Sequence, residues 1–199
     1  MPHSFKRVPL FGGAIECELP EHFADVSKIR QVPDSQEVYI DENGFSSIII
    51  DITERVEAPG TGIESDGRAL TIHLEELVGE DIETVKVWNS TETQFSHLSE
   101  TPAYTLIATQ TPRAPSDSDE SSRRAATPDF TALILTLLRL EKQKSDILIT
   151  INVPHIKGEY DEEEVDLALG KQGELIGNAI EYAARIWATF KVNDWRLFK

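Results

Sequence analysis

Two long apolar segments separated by a short polar one constrain the fold of this chain most strongly. Phe130 to Leu140 and Ile147 to Val153 flank the polar stretch from Glu141 to Ser145. Apolar runs on both sides of a short polar link are typical of a β-hairpin. Leucine also favours helices, so composition alone leaves a helix open for the first segment.

The rest of the chain mixes strand and helix patterns. Further strands are predicted at Ala14–Leu19, Glu37–Ile40, Ser47–Thr53, Thr84–Trp88 and Ala103–Thr109. Of these, Ser47–Thr53 carries three consecutive isoleucines and is predicted to be buried on both faces, although a short apolar run leaves the start of a helix open as the alternative. Helical patterns predict a short turn within Glu21–Arg30, an amphipathic helix from Arg68 to Gly79 and the longest helix from Leu167 to Phe190.

The longest helix and the segment after it contain the aromatic residues expected in the core. The predicted core stripe of this helix comprises Ile176, Ala179, Ile180, Ala183, Trp187 and Phe190, at helical spacing. In the tail that follows, Trp195 and Phe198 are predicted to pack against the body of the protein.

Composition favours one globular domain over residues 1–199, because the chain has 199 residues of which 40% are hydrophobic. No apolar run approaches the length of about 18 residues that indicates a membrane-spanning helix. The first residues lack the apolar segment of a secretory signal. A single cysteine, Cys17, excludes an intramolecular disulfide and fits a reducing compartment.

The formal net charge of −16 narrows the class of partner. Nucleic acid and anionic membranes are disfavoured, because both are recognised by clustered Lys and Arg. A basic protein surface is the natural complement, although simple solubility would explain the charge equally well. Two segments add to the polar surface: a mobile loop predicted at about 111–128 and an acidic loop from His155 to Asp166.

The segment from Arg30 to Tyr39 leads from a short polar stretch into a predicted strand. Pro33 fixes its own φ and pushes Val32 towards an extended conformation, so the chain is stiff here. Asp after Pro is typical of a turn. The segment therefore presents two carboxylates, Asp34 and Glu37, from a rigid corner. The alternative is a turn with a solvated acidic pair, in which Asp34 bonds nearby backbone N–H groups.

No pattern in the sequence indicates catalysis, a metal or a cofactor. The five histidines lack ligand spacing, and Cys17 has no His or helix N-terminus beside it to activate the thiol. Gly60-x-Gly62 lacks the remaining features of a dinucleotide fingerprint. Acid hydrolysis by Asp34 and Glu37 is the single enzyme hypothesis that the residues allow, and it is the weaker one.

Several motifs, in order, resemble the Mog family of Ran-binding proteins, the Ran guanine-nucleotide release factors. Near the N-terminus they are Phe11–Ala14 (aromatic-Gly-Gly-Ala), Leu19–Pro20, Asp25–Ser27 and Arg30–Val38 (Arg-x-Val-Pro-Asp-x-Gln-Glu-Val). Towards the C-terminus they are Leu137–Leu140 with Asp146–Pro154, and the tail Phe190–Phe198. The resemblance favours strands over a helix for Phe130 to Leu140.

The resemblance implies a single-domain α/β/α sandwich, a mostly antiparallel sheet flanked by helices, as in Mog and PsbP-like proteins. It also implies a monomeric, non-catalytic regulator without cofactors, in nucleus and cytoplasm, that binds Ran, promotes nucleotide release and supports nuclear import. Asp34 and Glu37 match the family's Ran-binding residues, and Arg30, Val32, Pro33 and Gln36 would shape or border that surface. A scaffold or transport adaptor without nucleotide-release activity is the alternative.

Overall fold

The computed structural model describes residues 3–113 and 127–198. Its strands are β1 (Phe5–Leu10), β2 (Ile15–Pro20), β3 (Phe23–Asp25), β4 (Gln36–Asp41), β5 (Ser47–Glu54), β6 (Val85–Thr93), β7 (Ala103–Gln110), β8 (Phe130–Leu140), β9 (Ser145–His155), β10 (Val165–Asp166), β11 (Lys171–Gln172) and β12 (Lys191–Val192). The two α-helices are α1 (Ile63–Val78) and α2 (Gly173–Thr189). Most of the loop predicted at 111–128 lies outside the described residues.

A seven-stranded antiparallel sheet forms the centre of the molecule, in the order β3-β4-β5-β9-β8-β7-β6. Its middle is the predicted hairpin, in which Phe130 pairs with His155 and Leu140 with Ser145. The helix alternative for the first apolar segment is therefore wrong. Both strands are long because their neighbours on either side, β5 and β7, extend the ladder over eight residue pairs each.

Side chains of β8 alternate between two apolar cores, one on each face of this sheet. Ile134 and Leu138 belong to the larger core, which also includes α2, β1 and β2. Leu133 and Leu135 belong to the smaller core under α1. Because successive strand residues point to opposite faces, one leucine-rich strand serves both layers. The architecture is the predicted α/β/α arrangement, with a mostly antiparallel sheet between the helices.

A small three-stranded sheet, β1-β2-β12, lies beside α2 and contributes to the larger core. No strand was predicted for β1, whose sequence contains Lys6, Arg7 and Pro9. Proline is tolerated there because β1 is an edge strand of its sheet. Val8 and Leu10 nevertheless face inward and are buried, which ties the N-terminal segment to the core.

Several predicted elements differ from those in the structure. The Glu21–Arg30 segment holds strand β3 and a one-turn 3-10 helix, Val26–Lys28. Strand β5 is fully buried at Ile48 and Ile50 and half-buried at intervening positions, so the prediction of two buried faces is wrong. Helix α2 begins at Gly173, after a small hairpin of β10 and β11, instead of at Leu167.

The α2 stripe is largely as predicted, with Tyr182 and Ile186 buried in addition and Ile180 and Trp187 half-buried. In the tail, Phe198 packs against the larger core as expected. Trp195 is 42% exposed, so the prediction that it packs against the body is wrong for this residue.

Four buried polar residues join α1 to the central sheet, and the sequence analysis missed them. Arg139 Nη1 and Nε bond Asp66 Oδ1 (3.1 Å) and Asp146 Oδ1 (3.2 Å). His73 Nε2 lies 2.9 Å from Asp146 Oδ2, which also accepts the N–H of Val56 at 3.0 Å. We call Asp66, His73, Arg139 and Asp146 the Arg139 cluster. Its members are all more than nine-tenths buried, and buried charge is tolerated when it is paired in this way.

Candidate functional site

The segment before strand β4 begins at a capped helical turn. Asp25 Oδ1 accepts the Ser27 N–H at 2.8 Å and so caps the 3-10 helix Val26–Lys28. The N–H of Arg30 donates to the carbonyl of Val26 at 3.0 Å and closes the turn. The chain therefore leaves this helix in a defined direction, towards the stretch that contains Asp34.

Residues Pro33–Gln36 form a β-turn, which we call the Asp34 turn. The N–H of Gln36 donates to the carbonyl of Pro33 at 2.9 Å. The carbonyl of Ser35 accepts the N–H of Ile52 at 2.9 Å, and Gln36 Nε2 donates to Asp51 Oδ2 at 3.0 Å. The predicted turn is thus confirmed, and strand β5 holds it by two bonds.

Asp34 stands exposed at the second position of this turn. Its carboxylate makes no hydrogen bond or ion pair with any residue in 3–113 or 127–198. The local backbone bond of the alternative is therefore not formed within these residues, whereas the exposure of Asp34 agrees with the solvated turn that the alternative describes. The backbone of Asp34 is held while its charge is left for solvent or for a partner.

Glu37 has a different environment, although it lies three residues away. It is half-buried, and its Oε1 accepts the N–H of Phe11. Phe11 has a φ of 50°, a left-handed conformation that is costly for a bulky residue, and it opens the 3-10 turn Phe11–Gly13. Glu37 therefore stabilises a strained turn, and the expectation that a corner presents both carboxylates alike is wrong.

Burial raises the pKa of Glu37 above its ordinary value. The Phe11 N–H acts in the opposite direction, and the negative charge of Asp25 raises the pKa further. The sequence analysis did not identify Asp25 as a neighbour of this site. Its position in an Asp-Val-Ser sequence, typical of a helix cap, was the available signal.

The other predicted site residues lie along the same surface segment. Arg30 and Pro33 are exposed, whereas Val32 and Gln36 are half-buried. We call Arg30, Val32, Pro33, Asp34, Gln36 and Glu37 the Asp34 surface. In a single stretch of chain it combines an apolar pair with the carboxylate of Asp34 and the guanidinium of Arg30, neither of which bonds another side chain in the part of the chain that the structure describes.

Cys17 is buried in strand β2. Burial, with smaller effects of Glu18 and Glu37, raises the pKa of its thiol to about 12. The thiolate is the nucleophilic form of cysteine, and at neutral pH this environment suppresses it.

Two histidines are fully enclosed and serve the fold. His73 belongs to the Arg139 cluster. His155 stacks on Phe130 with ring centroids 4.1 Å apart, its Nδ1 donates to the carbonyl of Val153, and burial lowers its pKa. Within the described ranges, no three His, Cys, Asp or Glu side chains are grouped to hold a metal. No helix there is long and apolar enough to cross a membrane.

Known proteins resemble this chain over most of its length. The family model described as "Ran-interacting Mog1 protein" matches residues 8–154. A probable Ran guanine nucleotide release factor from Dictyostelium discoideum is 32% identical over 159 residues, covering 76% of this chain and 75% of that protein. The nuclear import protein MOG1 of Saccharomyces cerevisiae is 30% identical over 169 residues, covering 77% and 68%.

Solved structures agree with the sequence matches. The crystal structure of the Saccharomyces cerevisiae Ran-binding protein Mog1p matches with a TM-score of 0.73 and 25% identity, covering 100% of both chains. Cyanobacterial PsbP from Synechocystis sp. PCC 6803 matches with a TM-score of 0.52 at 11% identity, covering 96% of this chain and 94% of that one, which shows the fold alone. The predicted Mog/PsbP-like α/β fold is confirmed, and the chain belongs to the Ran-interacting Mog1 protein family.

Proposed function

We propose that this protein binds the small GTPase Ran through the Asp34 surface and promotes release of its guanine nucleotide. The observation that carries the proposal is the Asp34 carboxylate, which is exposed and makes no bond to residues 3–113 or 127–198, on a turn whose backbone is held by β5. A charge held in place by its backbone loses little conformational entropy on binding, which favours a specific contact. The similar proteins are named as Ran release factors, a nuclear import protein and a Ran-binding protein.

Charge supports the choice of a basic partner surface. The net charge of −16 steers a basic protein towards the molecule over long distances. Close to the site, Asp25, Asp34 and Glu37 add local negative charge, and Asp25 and Glu37 are near enough to affect one another. Asp34 makes the direct contact in this proposal, and Glu37 positions the neighbouring Phe11–Gly13 turn and adds its charge.

Nucleotide release places a thermodynamic condition on the complex. The protein must bind nucleotide-free Ran more tightly than loaded Ran, and bound nucleotide must weaken the complex by the same factor. A binder indifferent to the nucleotide would release none, however tightly it bound. We therefore propose that the acidic side chains engage basic residues of Ran near its phosphate site and stabilise an open, nucleotide-free state.

We propose that the protein is a regulator without catalytic chemistry. It acts as a monomer in nucleus and cytoplasm and supports protein import. The buried position of Cys17 supports this proposal, because a substrate has no access to this thiol. The acidic surface supports a protein partner over nucleic acid or an anionic membrane.

A fluorescent-nucleotide assay tests the proposal. Ran loaded with a fluorescent GDP analogue is mixed with excess unlabelled GDP and the protein, and fluorescence loss is followed against time. We expect faster release with the wild-type protein, and much slower release with Asp34→Ala. Capture of Ran without faster release would identify a scaffold or transport adaptor instead. Absence of both capture and release would contradict the proposal.

The matched control is Glu159→Ala. Glu159 is exposed and follows β9 at the opposite end of the central sheet from the Asp34 turn. This variant removes one negative charge without touching the proposed surface. It should release nucleotide as the wild-type protein does.

A further inference from the structure

A groove with an apolar floor lies beside the Asp34 surface. Its volume is about 650 Å³, and buried Val8, Phe23 and Tyr39 line its floor. Asp25 and Lys28 line it as well, so both charge signs surround the apolar centre. We call it the Ile29 groove, after the isoleucine that also lines it.

Ile29 is the exposed apolar residue of this groove. The 3-10 helix Val26–Lys28 buries Val26 and leaves Ile29, the next residue after it, 73% exposed. A singly exposed apolar side chain is common on protein surfaces. Ile29 differs from such a residue because it adjoins an apolar cavity and lies close in sequence to Val32 and Pro33.

The groove and Glu37, one residue of the Asp34 surface, lie on the same face of strand β4. Glu37 and Tyr39 are two residues apart on this strand, so their side chains point to the same face. Asp25 pairs with Tyr39 in the sheet, and its charge also acts on Glu37. A partner that contacts Asp34 and Glu37 with a footprint of about 800 Å², typical for a protein interface, would cover the groove as well.

From this geometry we propose that the Ile29 groove receives an apolar side chain of Ran that lies next to Ran's basic contact residues. The inference rests on the proposed function, since it assigns a second, apolar component to the same interface. Binding energy is usually concentrated in an apolar anchor that fills a pocket, with charged residues around it. The rim of the groove carries two charges of each sign, Lys6 and Lys28 with Asp25 and Glu42, so its apolar floor and not its rim charge selects the side chain. Asp25 connects the groove to Glu37, on whose carboxyl its charge acts.

The two components of the interface should respond differently to salt. Burial of Ile29 against Ran is a hydrophobic contribution, which moderate salt does not screen. The Asp34 contact is electrostatic and weakens as salt rises. Replacing Ile29 should therefore lower the affinity and leave its salt dependence unchanged, whereas replacing Asp34 should lower both.

The test measures the affinity of nucleotide-free Ran for three variants at two salt concentrations. Ile29→Ser should bind at least about tenfold more weakly than wild type, the effect of losing one buried aliphatic side chain. Ile29→Leu should bind within about threefold of wild type, because a similar apolar volume is kept. Leu169→Ser is the matched control, since Leu169 is 74% exposed but lies at the β10–β11 hairpin. It should bind normally.

Two outcomes separate the inference from the proposed function. If Asp34→Ala weakens binding while Ile29→Ser binds within about twofold of wild type, the groove is not part of the interface and the inference is overturned. If the wild-type protein itself does not bind Ran, the proposed function fails and the inference fails with it. Thermal melts should be unchanged for Ile29→Ser, because the side chain is largely exposed.

Discussion

Asp34 lies in the turn before strand β4 and Asp146 near the start of the central strand β9, and the surroundings of the two aspartates are opposite. Asp146 is fully buried and accepts bonds from Arg139, His73 and the Val56 N–H. Asp34 is exposed and accepts none from the described part of the chain. The first carboxylate joins α1 to the sheet, and the second contributes little to holding the fold together.

The difference shows where this acidic protein can use charge for recognition. A buried carboxylate requires partners inside the protein, because leaving it unpaired costs several kcal/mol. An exposed carboxylate on a fixed turn has no such requirement and keeps its bonding capacity for another molecule. Glu37 lies between these cases, since it is half-buried and bonds Phe11 but adjoins the exposed turn.

The largest expected effect is at the Arg139 cluster. Arg139→Met leaves Asp66 and Asp146 buried without their cation, so we expect a loss of about 3–5 kcal/mol in the free energy of unfolding. The control is Arg68→Met, which breaks the exposed pair of Arg68 with Glu64 on α1 and should cost at most about 1 kcal/mol. Urea denaturation measures both. Similar losses of stability in the two variants would contradict the expectation that breaking a buried ion pair costs more than breaking an exposed one.

At Glu37 we expect a loss of stability between that at the Arg139 cluster and that at Asp34. Glu37→Ala removes the acceptor for the Phe11 N–H and should cost about 1 kcal/mol of stability. Glu37→Gln keeps an acceptor oxygen and removes the charge that burial disfavours. It should be at least as stable as wild type at pH 7 and should bind Ran more weakly. Equal destabilisation by Ala and Gln would show that the charge itself supports the Phe11 turn.

The raised pKa of Glu37 also gives a pH dependence of known sign. Because the pKa of Glu37 in the folded protein lies above the ordinary value of 4.5, the folded protein holds this proton more tightly than the unfolded chain does. The contribution of the protonated Glu37 carboxyl to stability is therefore fully present below its ordinary pKa and is lost as the pH rises through the folded-state pKa. Denaturation at pH 4 and pH 7 should show wild type losing stability relative to Glu37→Gln as the pH rises. The opposite trend would contradict the assigned cause of the shift.

A smaller effect is expected on the rate of association with Ran. Raising the ionic strength from about 0.01 M to 0.15 M shortens the screening length from about 30 Å to about 8 Å. Association should slow several-fold, because steering by the net negative charge is lost, while dissociation changes less. Stopped-flow fluorescence at the two salt concentrations measures both rates. A flat association rate would mean that the acidic surface takes no part in the encounter.

Local patterns predicted most of the sheet, whereas the choice of a strand over a helix for Phe130 to Leu140 came from the family resemblance. The β8–β9 pair follows from two apolar runs and one polar link, and Phe130 to Leu140 forms a strand because both of its faces are buried. Helix α1 begins five residues before the predicted start at Arg68. The first turn was not predicted, because the glycines at positions 60, 62 and 67 have a low propensity for helix.

Contacts between distant parts of the chain could not be predicted in this way. Arg139 and Asp66 are 73 residues apart, as are His73 and Asp146, and no local pattern indicates that they meet. Glu37 and Phe11 are 26 residues apart. The Asp34 turn was predictable because its Pro-Asp sequence determines the backbone locally, whereas the asymmetry between Asp34 and Glu37 depends on the tertiary structure.

Asp34→Ala tests directly whether the exposed carboxylate of Asp34 serves recognition. For Asp34→Ala, a thermal or urea denaturation and the affinity for nucleotide-free Ran are measured on the same preparation, beside Glu159→Ala. We expect a stability change within about 0.5 kcal/mol and a loss of about 2 kcal/mol or more in binding, roughly thirtyfold. Glu159→Ala should change neither. A stable Asp34→Ala protein that binds Ran as tightly as wild type would contradict the account.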